Sequence, residues 1–331
     1  MIQEDKARIW NEFVISSNLS HIFQSFEWGE FKSNFGWEPI RIAFQENGKI
    51  KVALQILRRK IPLTKKSFFY IPRGPILDYK DDEALAFVLN FIKRYSKEEH
   101  VVIVKISPDI SNEDHEVKSI LEKNKFCLSK IQLQHKCTFR IDLSEELEDI
   151  LAEMESRNRY ALRKAERDGV ETAEDGDISV FFDLYEEMNK QKKTHYNNKE
   201  YFLKIQDFLV PRRLAKVFIA RYKGEVVAGA VIFMFGKKLW YMYGATSLKH
   251  RNINSGHLLH WRIIQWAKEN NFSWYDLQGI PEKVDESDPL WGIYLFKRGF
   301  GGKRFDLIGE YDLVLSKPFL LLWYLYSKRL R

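Results

Sequence analysis

The sequence predicts an α/β chain with mixed sheets, arranged as two similar domains. Three observations carry this. Strand-like apolar runs alternate with amphipathic helical stretches, the pattern of helices layered on sheets. The alternation starts afresh after Asp142. The chain has 331 residues, 45% of them hydrophobic. At about 100–200 residues per domain, that fills two cores.

In the first half, Arg41–Phe44, Lys51–Leu57, Phe68–Ile71, Val101–Ile106 and Cys137–Ile141 are short and rich in β-branched or aromatic residues, so they read as strands. Ala84–Tyr95 puts Ala84, Phe87, Val88, Phe91 and Ile92 at helical spacing. Val117–Lys125 repeats that pattern. The boundary falls near Leu143. Beyond it, Ser144 is placed to cap a helix spanning Glu145–Arg167, which stops at Asp168-Gly169. A second helix covers Ile178–Gln191. Strands follow at Ala215–Tyr222, Val226–Met234 and Lys238–Tyr243, the first two split by the turn Lys223-Gly224. A helix, His257–Lys268, leads to a strand, Trp274–Leu277.

Charge and cysteine content narrow the function. Lys and Arg number 53 and Asp and Glu 46, a net charge of +7 that favours an anionic partner. Cys127 and Cys137 are too few for a disulfide scaffold or a cysteine-rich zinc site, and suit a reducing compartment. No apolar stretch follows the charged N-terminus, and no run approaches the roughly 18 apolar residues of a membrane span. A cytoplasmic protein is expected. His250, His257 and His260 lie close together with no carboxylate among them, so no metal is expected. Neither G-x-S-x-G nor a P-loop occurs.

Three constellations stand out. Arg157, Arg159, Arg163, Lys164 and Arg167 crowd about three helical turns, with Arg159, Arg163 and Arg167 along one face. This is either a solvated basic helix or a phosphate-contacting face. Next, Tyr241–Thr246 and then Arg251–Gly256 open the helix at His257, a strand–loop–helix arrangement able to hold an anion. Its single glycine makes a weak pyrophosphate cradle. Last, Tyr275–Ile280 and Trp291–Gly302 bracket Lys297 with aromatics and glycines. Lys297 is either a snorkelling surface residue or a cation positioned against developing negative charge.

These residues resemble the FemABX family in collinear order over nearly the whole chain. The resemblance rests on Trp28-Gly-x-Phe-Lys32, Phe69-Tyr-Ile-Pro-Arg-Gly-Pro75 and Thr138-Phe-x-Ile-Asp-Leu-Ser. Met154, Arg159-Tyr-x-x-Arg-Lys-Ala and Tyr243-Gly-Ala with Arg251-Asn belong to it too, as do Tyr275-Asp-Leu-x-Gly-Ile and Phe296-Lys-x-Gly-Phe-Gly-Gly. It implies two GNAT-like acyltransferase domains, 1–143 with a returning 308–331 on the acceptor side and 144–307 on the tRNA side. It implies an aminoacyltransferase of cell-wall biogenesis. Such an enzyme moves an aminoacyl group from aminoacyl-tRNA to the stem peptide of a peptidoglycan precursor, UDP-MurNAc-pentapeptide or its lipid-linked form. It needs no cofactor beyond the tRNA co-substrate and no metal. Between Arg159 and Ile178 there is no room for the helical arm that some members carry.

By the same resemblance, Lys297 is the catalytic cation at the ester carbonyl. Lys32 contacts substrate phosphate and Tyr243 lines the acceptor site. Lys192 with Tyr196, or Lys193 one place on, stands where the family has an Arg and an aromatic, so the bidentate fork of Arg is missing. Arg159, Arg163 and Arg167 are the expected tRNA contacts. Asp109 and Asp276 are candidates for a base, against structural roles in turns or caps. Trp28 and Trp37 are expected in the core, and Gly301 and Gly302 in turns. Phe319–Tyr326, followed by Lys328, Arg329 and Arg331, is either a core-packed terminal helix, the expected placement, or a peripheral contact with the inner face of the cell membrane. Two other functions stay open: an acyl-CoA-dependent N-acyltransferase on the same fold, and a non-catalytic RNA- or envelope-binding protein.

Overall fold

The structure, a computed structural model, describes residues 3–193, 197–319 and 323. The chain divides into two compact units: Met1–Lys136 with Asp306–Arg331, and Cys137–Phe305. The first opens with α1 (Gln3–Ser16) and α2 (Phe26–Ser33), then β1 (Glu38–Glu46), β2 (Lys49–Lys60) and β3 (Ser67–Pro72). Helix α3 (Asp82–Glu98) leads to β4 (Val101–Ser107), followed by α4 (His115–Lys123) and β5 (Cys127–Leu128). The second unit holds β6 (Cys137–Asp142), α5 (Leu147–Glu153), α6 (Ser156–Arg167), β7 (Glu171–Asp175), α7 (Ile178–Lys192), α8 (Lys199–Lys204) and β8 (Ala215–Tyr222). It continues with β9 (Glu225–Phe235), β10 (Lys238–Thr246), α9 (Ser255–Glu269), β11 (Trp274–Asp276), α10 (Trp291–Arg298) and β12 (Lys303–Asp306). The chain then re-enters the first unit as β13 (Tyr311–Val314).

Among the described residues the first sheet runs β1-β2-β3-β4-β13-β5 and the second β12-β6-β11-β10-β9-β8-β7. Both are mixed. Each has antiparallel strands and a parallel pair joined through a helix: β3 to β4 through α3, and β10 to β11 through α9. Strands β3 and β4 are buried at every position, as an apolar run covered on both faces should be. The boundary expected near Leu143 differs in one respect: β6 pairs with β11, so the strand before Leu143 belongs to the second unit.

In α3 the buried stripe is Leu85, Val88, Leu89 and Ile92. Phe87, expected on that face, is exposed and lies edge-on to Phe44 of β1. Strand β13 brings carboxylates to a buried cation. Lys105 of β4 has no exposed surface, and its ammonium lies 2.7 Å from Asp312 and 3.7 Å from Glu310. A charge out of water needs such partners. Of the terminal segment Phe319–Tyr326, only Phe319 and Trp323 are described, and both pack with Ile61, Phe68, Val102 and Ile103. The rest of it lies outside the described residues.

The single helix expected over Glu145–Arg167 is two. Met154 and Glu155 are extended, each with ψ 143°, and break it. Ser144 does not cap it; its N–H and hydroxyl both donate to Asp142. The break has a physical cause. Met154 is buried, and the Glu155 N–H donates to the Gly299 carbonyl at 3.0 Å. The Arg159 guanidinium donates to the carbonyls of Ala152 and Met154, serving the end of α5. Gly301, at φ +82°, passes so close that a Cβ there would sit 2.8 Å from the Glu153 backbone. Gly301 therefore permits packing as well as a turn.

Candidate active site

Lys297 stands in the last turn of α10, with 7% of its surface exposed. Its ammonium donates to the carbonyls of Gln278 at 2.9 Å and Gly279 at 2.8 Å. An ammonium has three N–H donors, so one is left over. The Tyr241 ring centroid lies 5.7 Å away. Burial lowers the Lys297 pKa to about 7, against a smaller raising effect from the Asp276 carboxylate. Its ammonium is buried and held by backbone carbonyls rather than snorkelling to solvent.

Asp276 builds the turn that grips it. One carboxylate oxygen accepts from Thr138 at 2.6 Å and from the Gln278 N–H at 2.8 Å; the other accepts from Arg140 at 3.0 Å. Gln278 is thereby held at φ 56°, in the left-handed region, with its carbonyl on Lys297. Both oxygens of this carboxylate are thus engaged in holding the turn. Helix α10 is held against α6 in the same way. Arg157 donates to the Leu295 carbonyl at 2.7 Å, and Arg298 pairs with Glu155 at 2.6 Å.

Around Lys297 the histidines are neutral. His260 is buried, with Nδ1 2.9 Å from the Tyr275 hydroxyl and its ring edge-on to Tyr241 at 4.4 Å. Burial, then the Lys297 charge, lowers its pKa to about 3. Burial and Arg157 take His257 to about 4. Gly244 leaves room for the Tyr241 ring, whose hydroxyl would lie 1.6 Å from a Cβ there. Beside α10, an open cavity of about 540 Å³ is lined by Arg157, Tyr160, Asn254, His257 and Phe296 among others.

Tyr243, two residues along β10 from Tyr241, donates to the Tyr201 hydroxyl at 3.0 Å. Phe202 and Tyr185 pack edge-on to its ring. Burial pushes the Tyr243 pKa well above its ordinary value and that of Tyr201 to about 12. Tyr201 belongs to no motif in the sequence; it arrives from α8. Lys192 ends α7, the helix that carries Tyr185, and Lys193 follows in the left-handed region. Lys192 is exposed, yet loss of hydration and the Arg251 charge lower its pKa. Tyr196 lies outside the described residues.

Of the basic segment, Arg159 is engaged at the α5 terminus and Lys164 pairs with Asp168 at 2.5 Å. Arg163 and Arg167 are not buried and face away from the core stripe of α6. Among the described residues no cluster of three His, Cys, Asp or Glu could hold a metal ion.

The first unit places Lys32 in the last turn of α2, beside a cavity of about 90 Å³. Trp28, Trp37 and Tyr70 line it too, so these tryptophans are both core and wall. The ammonium lies 5.6 Å from the Trp28 ring and 5.5 Å from that of Phe35. Burial, then the Arg59 charge, lowers the Lys32 pKa to about 8. Two cations that repel each other in this way suit an anion. Nothing in the sequence ties Arg59 to Lys32; strand β2 brings it there. Asp109 is buried, 3.9 Å from Arg73.

Comparison with known proteins bears on this arrangement. The model of the FemAB family matches residues 6–221 and 208–327. The lipid II:glycine glycyltransferase of Staphylococcus epidermidis is 26% identical, over 95% of this chain and 94% of its own. The enzyme of that name from Staphylococcus aureus is 25% identical over the same shares. The crystal structure of FemX superposes with a TM-score of 0.87 at 22% identity, covering 99% of each chain. A tandem GNAT protein from the clavulanic acid pathway does so with 0.56 at 10% identity, covering 94% of this chain and 96% of its own.

Proposed function

The chain belongs to the FemAB family, and from that membership and the Lys297 site we propose that it is an aminoacyltransferase using aminoacyl-tRNA and a peptidoglycan precursor. The observation that carries the reading is the buried Lys297 ammonium, fixed by two carbonyls with one donor left over.

An aminoacyl ester is already activated, so its transfer needs alignment and charge stabilisation more than covalent help. The acceptor's free amine attacks the ester carbonyl, and negative charge grows on the carbonyl oxygen. The remaining N–H of the buried Lys297 ammonium meets that charge. The C–N bond forms, the ester C–O bond breaks, and the proton lost by the amine ends on the departing ribose oxygen. The cavity lined by Arg157, Tyr160, His257 and Phe296 receives the end of the donor. Lys32 with Arg59 holds an acceptor phosphate, and Tyr243 with Tyr201 lines the acceptor's path.

The test is to incubate the protein with charged tRNA pools and UDP-MurNAc-pentapeptide or its lipid-linked form, and to read the added mass. A product heavier by one aminoacyl residue is expected only with charged tRNA. Transfer from acyl-CoA instead, or CoA binding by calorimetry without tRNA dependence, overturns the reading.

A further inference from the structure

We propose that the end of the β2–β3 hairpin is a membrane-docking element, with Leu63 entering the interface of an anionic bilayer and Lys65 and Lys66 facing its headgroups. The inference goes beyond acyl transfer and stands independently of it.

Strands β2 and β3 are joined by residues 61–66, and this loop is tied to itself. The Ile61 N–H donates to the Lys66 carbonyl at 2.8 Å, and the Thr64 N–H to the Ile61 carbonyl at 3.2 Å. The Lys66 N–H donates to the Thr64 hydroxyl at 3.0 Å. Ile61 is buried with Phe68, Val102, Ile103 and Trp323, which anchors the loop's base. At the tip, Leu63 has φ 61°, a conformation that suits glycine or asparagine. Its relative exposure is 106%, so none of the described residues covers it. A bonded, anchored loop cannot fold this side chain back.

A lone surface leucine is ordinary; what differs here is the rim. Residues 58–66 read Arg-Arg-Lys-Ile-Pro-Leu-Thr-Lys-Lys, five cations and no acid. Glu38 and Glu99 pair with Arg58 and Lys60, so the hairpin end keeps a net positive charge. Lys65 is exposed, and the Lys66 ammonium lies 5.0 Å from the Phe319 ring. An apolar tip ringed by cations matches an anionic membrane surface, where aliphatic burial and headgroup attraction add. The phosphate backbone of a nucleic acid would use the lysines but leave the aliphatic tip in water.

The experiment is co-sedimentation of the full chain with vesicles of phosphatidylcholine containing about a third phosphatidylglycerol, with pure phosphatidylcholine vesicles alongside. Binding is expected to the anionic vesicles and only weakly to the neutral ones. Leu63→Asp should lower the partition coefficient about ten-fold. Lys65→Gln with Lys66→Gln should lower it about 25-fold, at about five-fold per charge. Melting curves should be unchanged for Leu63→Asp, since that side chain is fully exposed. Failure of the unaltered protein to sediment with anionic vesicles overturns the proposal. So does binding that both variants leave intact. Variants that lose tRNA affinity while keeping vesicle binding would make the hairpin a nucleic-acid surface instead.

Discussion

Lys297 holds two backbone carbonyls and, on the proposed reading, the charge of the transition state. Lys297→Met should therefore lower turnover roughly 100- to 1,000-fold, as loss of one such donor does. It also leaves two inward-facing carbonyls without their donor, so the melting temperature should fall by a few degrees. Steady-state kinetics with thermal melts separates the two effects; near-normal turnover in a folded variant would remove the catalytic role. The pKa near 7 sets a pH dependence. The ammonium is present below that value, so the contribution of Lys297 to rate declines as pH rises through 7. Its effect on stability has the opposite sign. Between about 7 and the ordinary lysine value of 10.5 the unfolded chain binds more protons, so the cost of burying this charge is relieved as pH rises. Asp276→Asn removes the charge that raises the Lys297 pKa, so the alkaline limb of the rate profile should move to lower pH. A profile that keeps its limb while kcat drops would assign Asp276 a purely structural part. Lys32→Met should raise KM for the acceptor about ten-fold or more with little change in kcat, the mark of an interaction made before and during reaction.

The elements around the site show what can be read from sequence. The motif Phe296-Lys297 and the strand Trp274–Asp276 are legible because apolar runs and glycines delimit them. The break between α5 and α6 is not, because its cause is the distant Gly299–Gly301 segment packing on Glu153 and Glu155. Helix α2 is hidden for a similar reason. Gly29 weakens its helical signal, yet Gly29 lets Arg41 and Gln55 approach where a Cβ would lie 2.4 Å from each. Tyr201 and Arg59 carry no local pattern, and only tertiary packing brings them to Tyr243 and Lys32. In the basic helix α6, Arg159 is engaged by carbonyls while Arg163 and Arg167 are exposed. Arg163→Ala with Arg167→Ala should weaken tRNA binding and flatten its salt dependence, by somewhat under one unit of slope for each phosphate no longer neutralised. Arg159→Ala should leave that slope alone and lower the melting temperature, since its guanidinium serves the α5 carbonyls. Filter binding across a salt series tests both. Equal slopes for all three proteins would return the helix to a solvated face.

At the scale of the whole molecule, the second unit is continuous in sequence and the first is not. A fragment of residues 137–305 should fold and melt cooperatively, because among the described residues its main core cluster lies entirely within it. A fragment of residues 1–136 should not. It lacks β13, which lies between β4 and β5, and it lacks the carboxylates beside Lys105. An uncompensated buried charge of this kind costs about 3–5 kcal/mol, a large part of a domain's stability. Circular dichroism melts of the two fragments check this; a cooperative transition in 1–136 would show that β13 is dispensable.

The late return of β13 has a consequence during synthesis. A chain leaves the ribosome from its N-terminus, so Lys105 emerges long before Glu310 and Asp312. At about 5–20 residues per second the interval is roughly ten to forty seconds. Through that time β4 has an unpaired edge and the lysine has no counter-charge, while residues 137–305 emerge with everything their own sheet requires. The part translated second is thus free to fold first, and the part translated first waits for the last strand. Until then its open edge is the place where a nascent chain is most exposed to pairing with a neighbour.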